Sequence, residues 1–145
     1  MDSILKPFGL RSTNDYPSSY KKTNSLQQRI QDSQRVLIKH PSFVPVIVDC
    51  DESLGVLNKR KYLVSEHNNV SHLLMSIRGQ LKSENRGVGD KAFFLFCGNS
   101  ILCPTSMMKD VYNQYLESRD KSCRNKNELS DKFLYINVVA ENTFG

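Results

Sequence analysis

Short strand-forming segments alternate with amphipathic helical segments along most of this chain, and the order of these segments leaves few folds open. The first strand is predicted at Phe43–Cys50, where the sequence is rich in β-branched residues. A second is predicted at Lys61–Val64, after a polar stretch that includes Gly55 and Asn58. Two such runs with turn residues between them predict a β-hairpin.

A segment whose apolar residues have helical spacing lies on each side of this hairpin in the sequence. Ser25 is a suitable N-cap for a helix that ends before Pro41, with Leu26, Ile30, Ser33 and Leu37 on one face. Beyond the hairpin, Asn69 can cap a second helix, whose apolar residues recur at intervals of three and four. These residues are Val70, Leu73, Leu74, Ile77 and Leu81.

The remaining segments repeat the alternation of strand and helix. Ala92–Cys97 is apolar throughout and predicts a strand buried on both faces, followed by a turn at Gly98–Asn99. Pro104 and Thr105 open a third helix. Its apolar stripe is Met108, Val111, Tyr112 and Tyr115, and Phe133–Val139 is the last strand.

The resulting order is helix, strand, strand, helix, strand, helix, strand, which predicts the α+β class. Two strands, a helix that crosses the sheet and then further strands are typical of the ubiquitin-like β-grasp fold, here with an N-terminal helical extension. A ferredoxin-like sandwich is the alternative that fits the same order. Residues 1–24 are polar with isolated apolar positions, so we expect a flexible extension. Residues 117–132 are predicted to be an exposed polar loop within the domain of residues 25–145.

Composition narrows the functional classes. A chain of 145 residues is long enough for one domain with its own core. Its net charge of +5 permits acidic partners, but the basic residues are spread out and no nucleic-acid-binding motif is present, so no nucleic-acid partner is expected. The four cysteines and the pair His67 and His72 lack metal-ligand spacing, and no catalytic arrangement is recognisable. We therefore expect neither an enzyme nor a bound metal or cofactor. No apolar run approaches the length of a membrane span and Met1–Leu10 lacks the pattern of a secretory signal, so we expect a cytoplasmic location.

The last five residues, Glu141–Gly145, form a polar segment that ends in glycine directly after strand-forming residues. Glycine lacks a Cβ atom and passes through a narrow enzyme channel, so this segment suits a terminus whose carboxylate is activated and transferred. The alternative interpretation is an incidental last residue.

Several segments together resemble the autophagy-related ubiquitin-like modifiers, a family that includes the GABA-receptor-associated protein and microtubule light chain 3 types. The resemblance runs from about Leu26 to Gly145, excluding the polar insertion, and identifies the chain as a divergent member. The segments that carry it are Pro41, Val44–Val48, Lys59–Val64, Phe93–Phe96, Pro104–Ser106, Phe133–Ile136 and Glu141–Gly145.

The resemblance implies a modifier that is joined through Gly145, preceded by Phe144, to the amine of phosphatidylethanolamine during autophagosome formation. The implied partners are activating and conjugating enzymes, a delipidating protease, cargo receptors and phosphatidylethanolamine membranes. The implied location is the cytoplasm, and the autophagosome membrane when lipidated. An unconjugated β-grasp interaction module in membrane trafficking or on the cytoskeleton is the alternative function.

The resemblance also implies docking of short motifs with an aromatic residue, two spacers and an aliphatic residue, which add a strand to an exposed sheet edge. The strand assigned to that edge is Lys61–Val64. The implied aromatic pocket comprises Asp32, Val36, Pro45, Ile47, Lys61, Leu63 and Phe133. The implied aliphatic pocket comprises Tyr62, Val64, Leu73 and Ile77.

Lys59 and Arg60 are expected to be exposed cations on the rim of this groove, where they would attract acidic motif flanks. The sequence departs from the family pattern at five positions, which favours a narrower or shifted set of motifs. These positions are Phe43, Ser65, Asn68, Ser76 and Gln80.

Overall fold

The computed structural model describes residues 19–50, 59–83, 91–122 and 130–141. These residues form four helices and five strands. In chain order the elements are α1 (Ser19–Thr23), α2 (Leu26–Lys39), β1 (Phe43–Cys50), β2 (Lys61–Ser65), α3 (Val70–Ser83), β3 (Phe93–Cys97), β4 (Ser100–Ile101), α4 (Met108–Ser122) and β5 (Leu134–Ala140).

The five strands form one mixed sheet in the order β2-β1-β5-β3-β4. The first and last strands pair in parallel at its centre, while the β1–β2, β3–β5 and β3–β4 pairs are antiparallel. This is the predicted β-grasp arrangement with an N-terminal helical extension. The central parallel pair excludes the ferredoxin-like alternative, whose sheet is antiparallel throughout.

Local signals in the sequence explain where the elements begin and turn. Ser25 caps α2, since its hydroxyl accepts a hydrogen bond from the backbone N–H of Gln28 at 3.1 Å. Asn69 caps α3 in the same way, through the N–H of His72 at 3.1 Å. Gly98 lies in the tight turn between β3 and β4 with a φ of +61°, a conformation that glycine adopts without steric cost.

The main core lies between one face of the sheet and helices α3 and α4. Val70, Leu73, Ile77 and Leu81 of α3 are buried there, as their helical spacing predicts. The rest of this cluster comes from α4 and the strands. It comprises Val44, Val46, Val48, Tyr62, Val64, Phe93, Leu95, Met108, Val111, Leu134, Ile136 and Val138.

A second, smaller cluster lies on the opposite face of the sheet, where α2 packs on β1. It joins Tyr20 of α1 to Ile47 and Phe133, with Tyr135 packed against it. The burial of Tyr20 overturns part of one prediction. Ser19–Thr23 is a helix and the side chain of Tyr20 is fully buried, so the expected mobility of residues 1–24 is wrong for this part, while residues 1–18 lie outside the described residues.

Three further expectations differ from the structure. The predicted loop at 117–132 begins as helix, because α4 continues to Ser122. Strand β3 is not buried on both faces, since Phe94 is 41 % exposed on the face opposite α3 and α4. The apolar face predicted for α2 is only partly right: Ser33 is buried and Ile30 and Leu37 are half-buried, but Leu26 is exposed. Val36, which was not assigned to this face, is buried as well. Strand β4 was not predicted, because two residues are too few to form a recognisable strand pattern.

Candidate docking groove along the edge strand

Strand β2 lies at the edge of the sheet, as the proposed docking strand must. The N–H of Val48 donates to the carbonyl of Arg60 at 2.9 Å, and that of Glu66 donates to the carbonyl of Ser42 at 3.0 Å. Because hydrogen-bonded pairs alternate along an antiparallel ladder, the backbone groups of Lys61 and Leu63 point away from β1.

Pro45 of β1 fits this alternation. It lies opposite Leu63, in a pair that exchanges no hydrogen bonds, so its missing N–H removes no bond between β1 and β2. The outward N–H and C=O groups of Lys61 and Leu63 are therefore the ones that an added strand would meet. This arrangement provides an edge for β-augmentation.

Most of the predicted aromatic pocket comes together between α2 and β2. A cavity of about 10 Å³, room for about one water molecule, lies among these side chains. Its walls include five of the seven predicted residues and two others. They are Val36, Pro45, Lys61, Leu63 and Phe133, with Val46 and Tyr62. In this conformation the pocket is nearly closed.

The other two predicted residues lie beside the cavity rather than in its walls. Ile47 is fully buried beneath it, in the cluster with Phe133. The carboxylate of Asp32 is held by three donors: the hydroxyl of Tyr20 at 3.3 Å, the amide of Gln28 at 3.0 Å and the guanidinium of Arg35 at 2.9 Å.

Tyr20 is the residue at this site that the sequence reasoning missed. Its ring meets Phe133 edge-on, with centroids 5.5 Å apart, and the ammonium of Lys61 lies 5.1 Å from its ring centroid. Burial, and then the negative charge of Asp32, raises the pKa of Tyr20, while burial lowers the pKa of Lys61. The available signal was an aromatic residue shortly before the N-cap Ser25, within an otherwise polar stretch.

A buried carboxylate supports the pocket from below. Oδ2 of Asp131 accepts hydrogen bonds from Nη1 of Arg29 and from the hydroxyl of Tyr135, both at 2.8 Å, and Oδ1 accepts from the N–H of Phe133 at 3.1 Å. The guanidinium of Arg119 donates to the carbonyl of Asp131 at 2.6 Å. Asp131 thus ties α2 and α4 to the start of β5, immediately beside Phe133.

The predicted aliphatic pocket lies on the other face of β2. All four of its residues are buried in the main core that packs against α3, and their place in a docking pocket stays a prediction. The half-buried residues nearer the surface include four of the divergent positions. They are Ser65, Asn68, Ser76 and Gln80.

The basic rim is only partly as expected. Lys59 is half-exposed and its ammonium lies 5.0 Å from the ring centroid of Tyr62. Arg60 is only 2 % exposed, so the prediction of an exposed rim cation is wrong for this residue. The reason is its position next to β2, where strand alternation places its side chain on the core face with Tyr62 and Val64.

The conjugation residues Phe144 and Gly145 lie outside the described residues. The chain is described up to Glu141, which is exposed. The N–H of Glu141 donates to the carbonyl of Ala92 at 2.8 Å, and the N–H of Ala92 donates to Oε1 of Glu141 at 2.9 Å. These bonds hold the end of β5 against β3.

Other site classes find little support in the described part of the chain. It contains no group of three or more potential metal ligands among its His, Cys, Asp and Glu side chains. None of its helices is both long and apolar enough to span a bilayer. His67 and His72 are both exposed, and His67 faces Glu66 at 3.6 Å.

Comparison with known proteins gives a consistent result. The family model for "Autophagy protein Atg8 ubiquitin like" matches residues 28–145. Autophagy-related protein 8c of Arabidopsis thaliana is 34% identical over 130 residues, covering 88% of this chain and 96% of the relative. Autophagy-related protein 8 of Schizosaccharomyces pombe is 34% identical over 131 residues, covering 88% and 94%.

A solved structure agrees with these sequence matches. The crystal structure of Trypanosoma brucei ATG8 superposes with a TM-score of 0.69 at 25% identity, covering 88% of this chain and 98% of that one. The resemblance read from the sequence is therefore confirmed, and so is the ubiquitin-like fold.

Proposed function

Because the chain belongs to the Atg8 family of ubiquitin-like autophagy proteins, we propose that it is a modifier conjugated through Gly145 to phosphatidylethanolamine, and that it docks short peptide motifs along β2. The observation that supports the docking half is the position of β2 at the sheet edge, with a small cavity beside it that is lined in part by five of the seven predicted residues.

In the conjugation half, the chain supplies a substrate group and no catalyst. The carboxylate of Gly145 is adenylated by ATP with release of pyrophosphate, and a cysteine thiol of the activating enzyme then displaces AMP to form a thioester. Thioester exchange passes the glycyl group to a cysteine of the conjugating enzyme and frees the first thiol. The lipid amine attacks this thioester, so that an amide forms and the thiol leaves. Phe144 precedes the reacting residue and is the side chain by which those enzymes would hold it.

In the docking half, a partner segment adds a strand to β2. Its backbone pairs with the outward groups of Lys61 and Leu63, which gives affinity, while two side chains on opposite faces give specificity. The aromatic side chain enters on the α2 side, above Phe133. The aliphatic side chain lies on the α3 side, above Val64 and Leu73.

The closed state of the aromatic pocket sets a condition for docking. An aromatic side chain is far larger than the cavity of about 10 Å³, so the pocket must open. Lys61 is the wall residue with the longest and most flexible stem, and its ammonium lies 5.1 Å from the ring centroid of Tyr20. We expect Lys61 to swing outward and to cover the incoming ring with its stem.

Reconstitution tests the conjugation half. The chain is incubated with the activating and conjugating enzymes, ATP and liposomes that contain phosphatidylethanolamine, and a faster-migrating lipidated band is expected on a denaturing gel. The matched control is Gly145→Ala, which adds a methyl group at the reacting residue and is expected to abolish the band.

Two results would contradict this proposal. An unshifted wild-type chain would favour the unconjugated interaction module, which uses the same groove. A lipidated band that persists in Gly145→Ala would show that another residue is joined to the lipid.

A further inference from the structure

The sheet face that bears α1 and α2 has an exposed apolar area at its far end. The side chains of Tyr20, Ile47 and Phe133 form a buried cluster on this face, at β1 and next to β5. Beyond β5 in the sheet, Phe94 of β3 is 41% exposed and Ile101 of β4 is 57% exposed. Large apolar side chains that are exposed together commonly mark a surface that another segment or molecule covers.

The register of the strands makes this area continuous. Phe96 pairs with Ile101 in the antiparallel β3–β4 ladder, and such pairs share a face of the sheet. Phe94 lies two residues before Phe96, so it points to the same side, as does Val139, which pairs with Phe94. Tyr135 packs against the buried cluster and lies four residues before Val139, which places both on this face. We call the four residues beyond the cluster, Phe94, Phe96, Ile101 and Val139, the β3–β4 patch.

A polar atom beside this patch lacks a partner. Asn137 lies between Tyr135 and Val139 on the same face of β5, and it pairs with Phe96. Its Oδ1 is buried, and among the described residues no donor lies within hydrogen-bond distance of it. Because buried acceptors are nearly always hydrogen-bonded, this atom calls for a donor from outside the described residues.

Residues 1–18 enter the fold close to the patch. They lead directly into α1, where the ammonium of Lys21 lies 4.3 Å from the ring centroid of Tyr135 of β5. The next two strands beyond β5 are β3 and β4, about 5 and 10 Å away at the usual strand spacing. Leu10 lies nine residues before Ser19, a stretch that can span about 30 Å when extended, so the segment reaches the whole patch.

The composition of this segment suits an apolar surface. It has two acidic and two basic side chains, so its side-chain charges cancel. In the opposite direction along the sheet the same face is already occupied, because α2 packs on β1. The family model begins at residue 28, so the segment is additional to the region that this model matches. Its large aliphatic and phenyl side chains are Ile4, Leu5, Phe8 and Leu10.

We propose that residues 1–18 lie across β3 and β4 of their own molecule and cover the β3–β4 patch, with their apolar side chains against Phe94 and Ile101. A backbone N–H of the segment then supplies the donor that Asn137 lacks. Any partner that binds this face has to displace the segment first. This inference does not depend on docking at β2, because the patch lies at the other edge of the sheet.

Nuclear Overhauser spectroscopy of the isotope-labelled full chain tests the contact. Cross-peaks are expected between the methyl groups of Ile101 or Val139 and protons of residues 4–10. A second sample mixes labelled with unlabelled chains, so that filtered spectra detect only contacts between molecules, and it is expected to show no such cross-peaks. Their absence from the first sample overturns the proposal. Their presence in the second sample also overturns it, and shows that a second copy occupies the patch.

Binding of the dye anilinonaphthalene sulfonate to the full chain provides a second test. The double variant Phe8→Ser with Leu10→Ser should raise the dye fluorescence severalfold, because exposed apolar surface binds this dye. The matched control is Lys6→Ser, which changes a charged residue of the same segment and should leave the fluorescence unchanged. Adding Ile101→Thr to the double variant should remove most of the increase. An unchanged fluorescence in the double variant, or an increase that persists with Ile101→Thr, would overturn the proposal.

Discussion

Replacing Asp131 with asparagine should destabilise the protein strongly, because this carboxylate is the acceptor for three donors. Arg29 and Asp131 are 14% and 3% exposed, so their ion pair is largely removed from water. The amide of Asp131→Asn has one acceptor oxygen where two are used, and its NH₂ group would face the donors of Arg29 and Tyr135, or that of Phe133.

Breaking a buried pair by removing one partner costs roughly 3–5 kcal/mol, since the other charge is left buried and uncompensated. We expect Asp131→Asn to lower the free energy of unfolding by about 3 kcal/mol, the lower end of this range, because Arg29 retains some contact with water. The matched control is Arg35→Met, which breaks the ion pair of Arg35 with Asp32. Arg35 is 58% exposed, so this change should cost no more than about 0.5 kcal/mol.

The assay is equilibrium urea unfolding followed by far-UV circular dichroism, which suits a chain without tryptophan. With an m value of about 2 kcal/mol/M, a loss of about 3 kcal/mol lowers the midpoint by about 1.5 M. In a double-mutant cycle with Arg29→Met, the combined loss should be smaller than the sum of the single losses by about 1–3 kcal/mol. A loss below about 1 kcal/mol in Asp131→Asn, or strict additivity with Arg29→Met, would refute the reasoning.

Two other properties follow from the environments of titratable groups. At pH 7.5, iodoacetamide should modify Cys103 well before Cys97. Cys103 is exposed and a hydrogen bond from Thr105 lowers its pKa, while burial raises the pKa of Cys97 to about 11. Peptide mass spectrometry over time measures both rates of modification, and equal rates would contradict this prediction. Stability should fall above about pH 10, since burial raises the pKa of Tyr112 to about 12 and the folded state then holds a proton that the unfolded state releases. Urea midpoints at pH 8, 10 and 11 measure this loss, Tyr112→Phe should reduce it, and a midpoint independent of pH would contradict it.

The periodic elements were predictable because their signals are local. Ser25 and Asn69 cap helices from their own side chains, and the spacing of Leu73, Ile77 and Leu81 identifies the buried face of α3 without knowledge of the sheet. The turn at Gly98 is equally local. The fold class followed because the order of these elements fits few arrangements.

What the sequence did not reveal depends on contacts between distant segments. Tyr20 is buried against Ile47 and Phe133, and Phe133 lies more than a hundred residues later in the chain, so no local pattern marks α1 as ordered. Arg60 lies within a run of three cations that favours a solvated surface. Its burial follows from the register of β2 against β1, which fixes the face on which its side chain lies.

The polar loop expected after Glu117 illustrates a different limit. A polar segment has no apolar stripe to mark it as helix, but α4 carries on through it to Ser122. Arg119 contributes to this extension through its hydrogen bond to the carbonyl of Asp131 and its guanidinium over the ring of Tyr115. These are polar and cation–π contacts that hydrophobic periodicity does not register.

Amide hydrogen exchange of β2 in the presence of a saturating aromatic-x-x-Leu peptide tests most directly whether partners add a strand to this edge. The N–H groups of Lys61 and Leu63, which point away from β1, should exchange markedly more slowly in the complex, while those of Tyr62 and Val64, already directed at β1, should change little. Unchanged exchange at Lys61 and Leu63 with the peptide bound would contradict docking by β-augmentation on this strand.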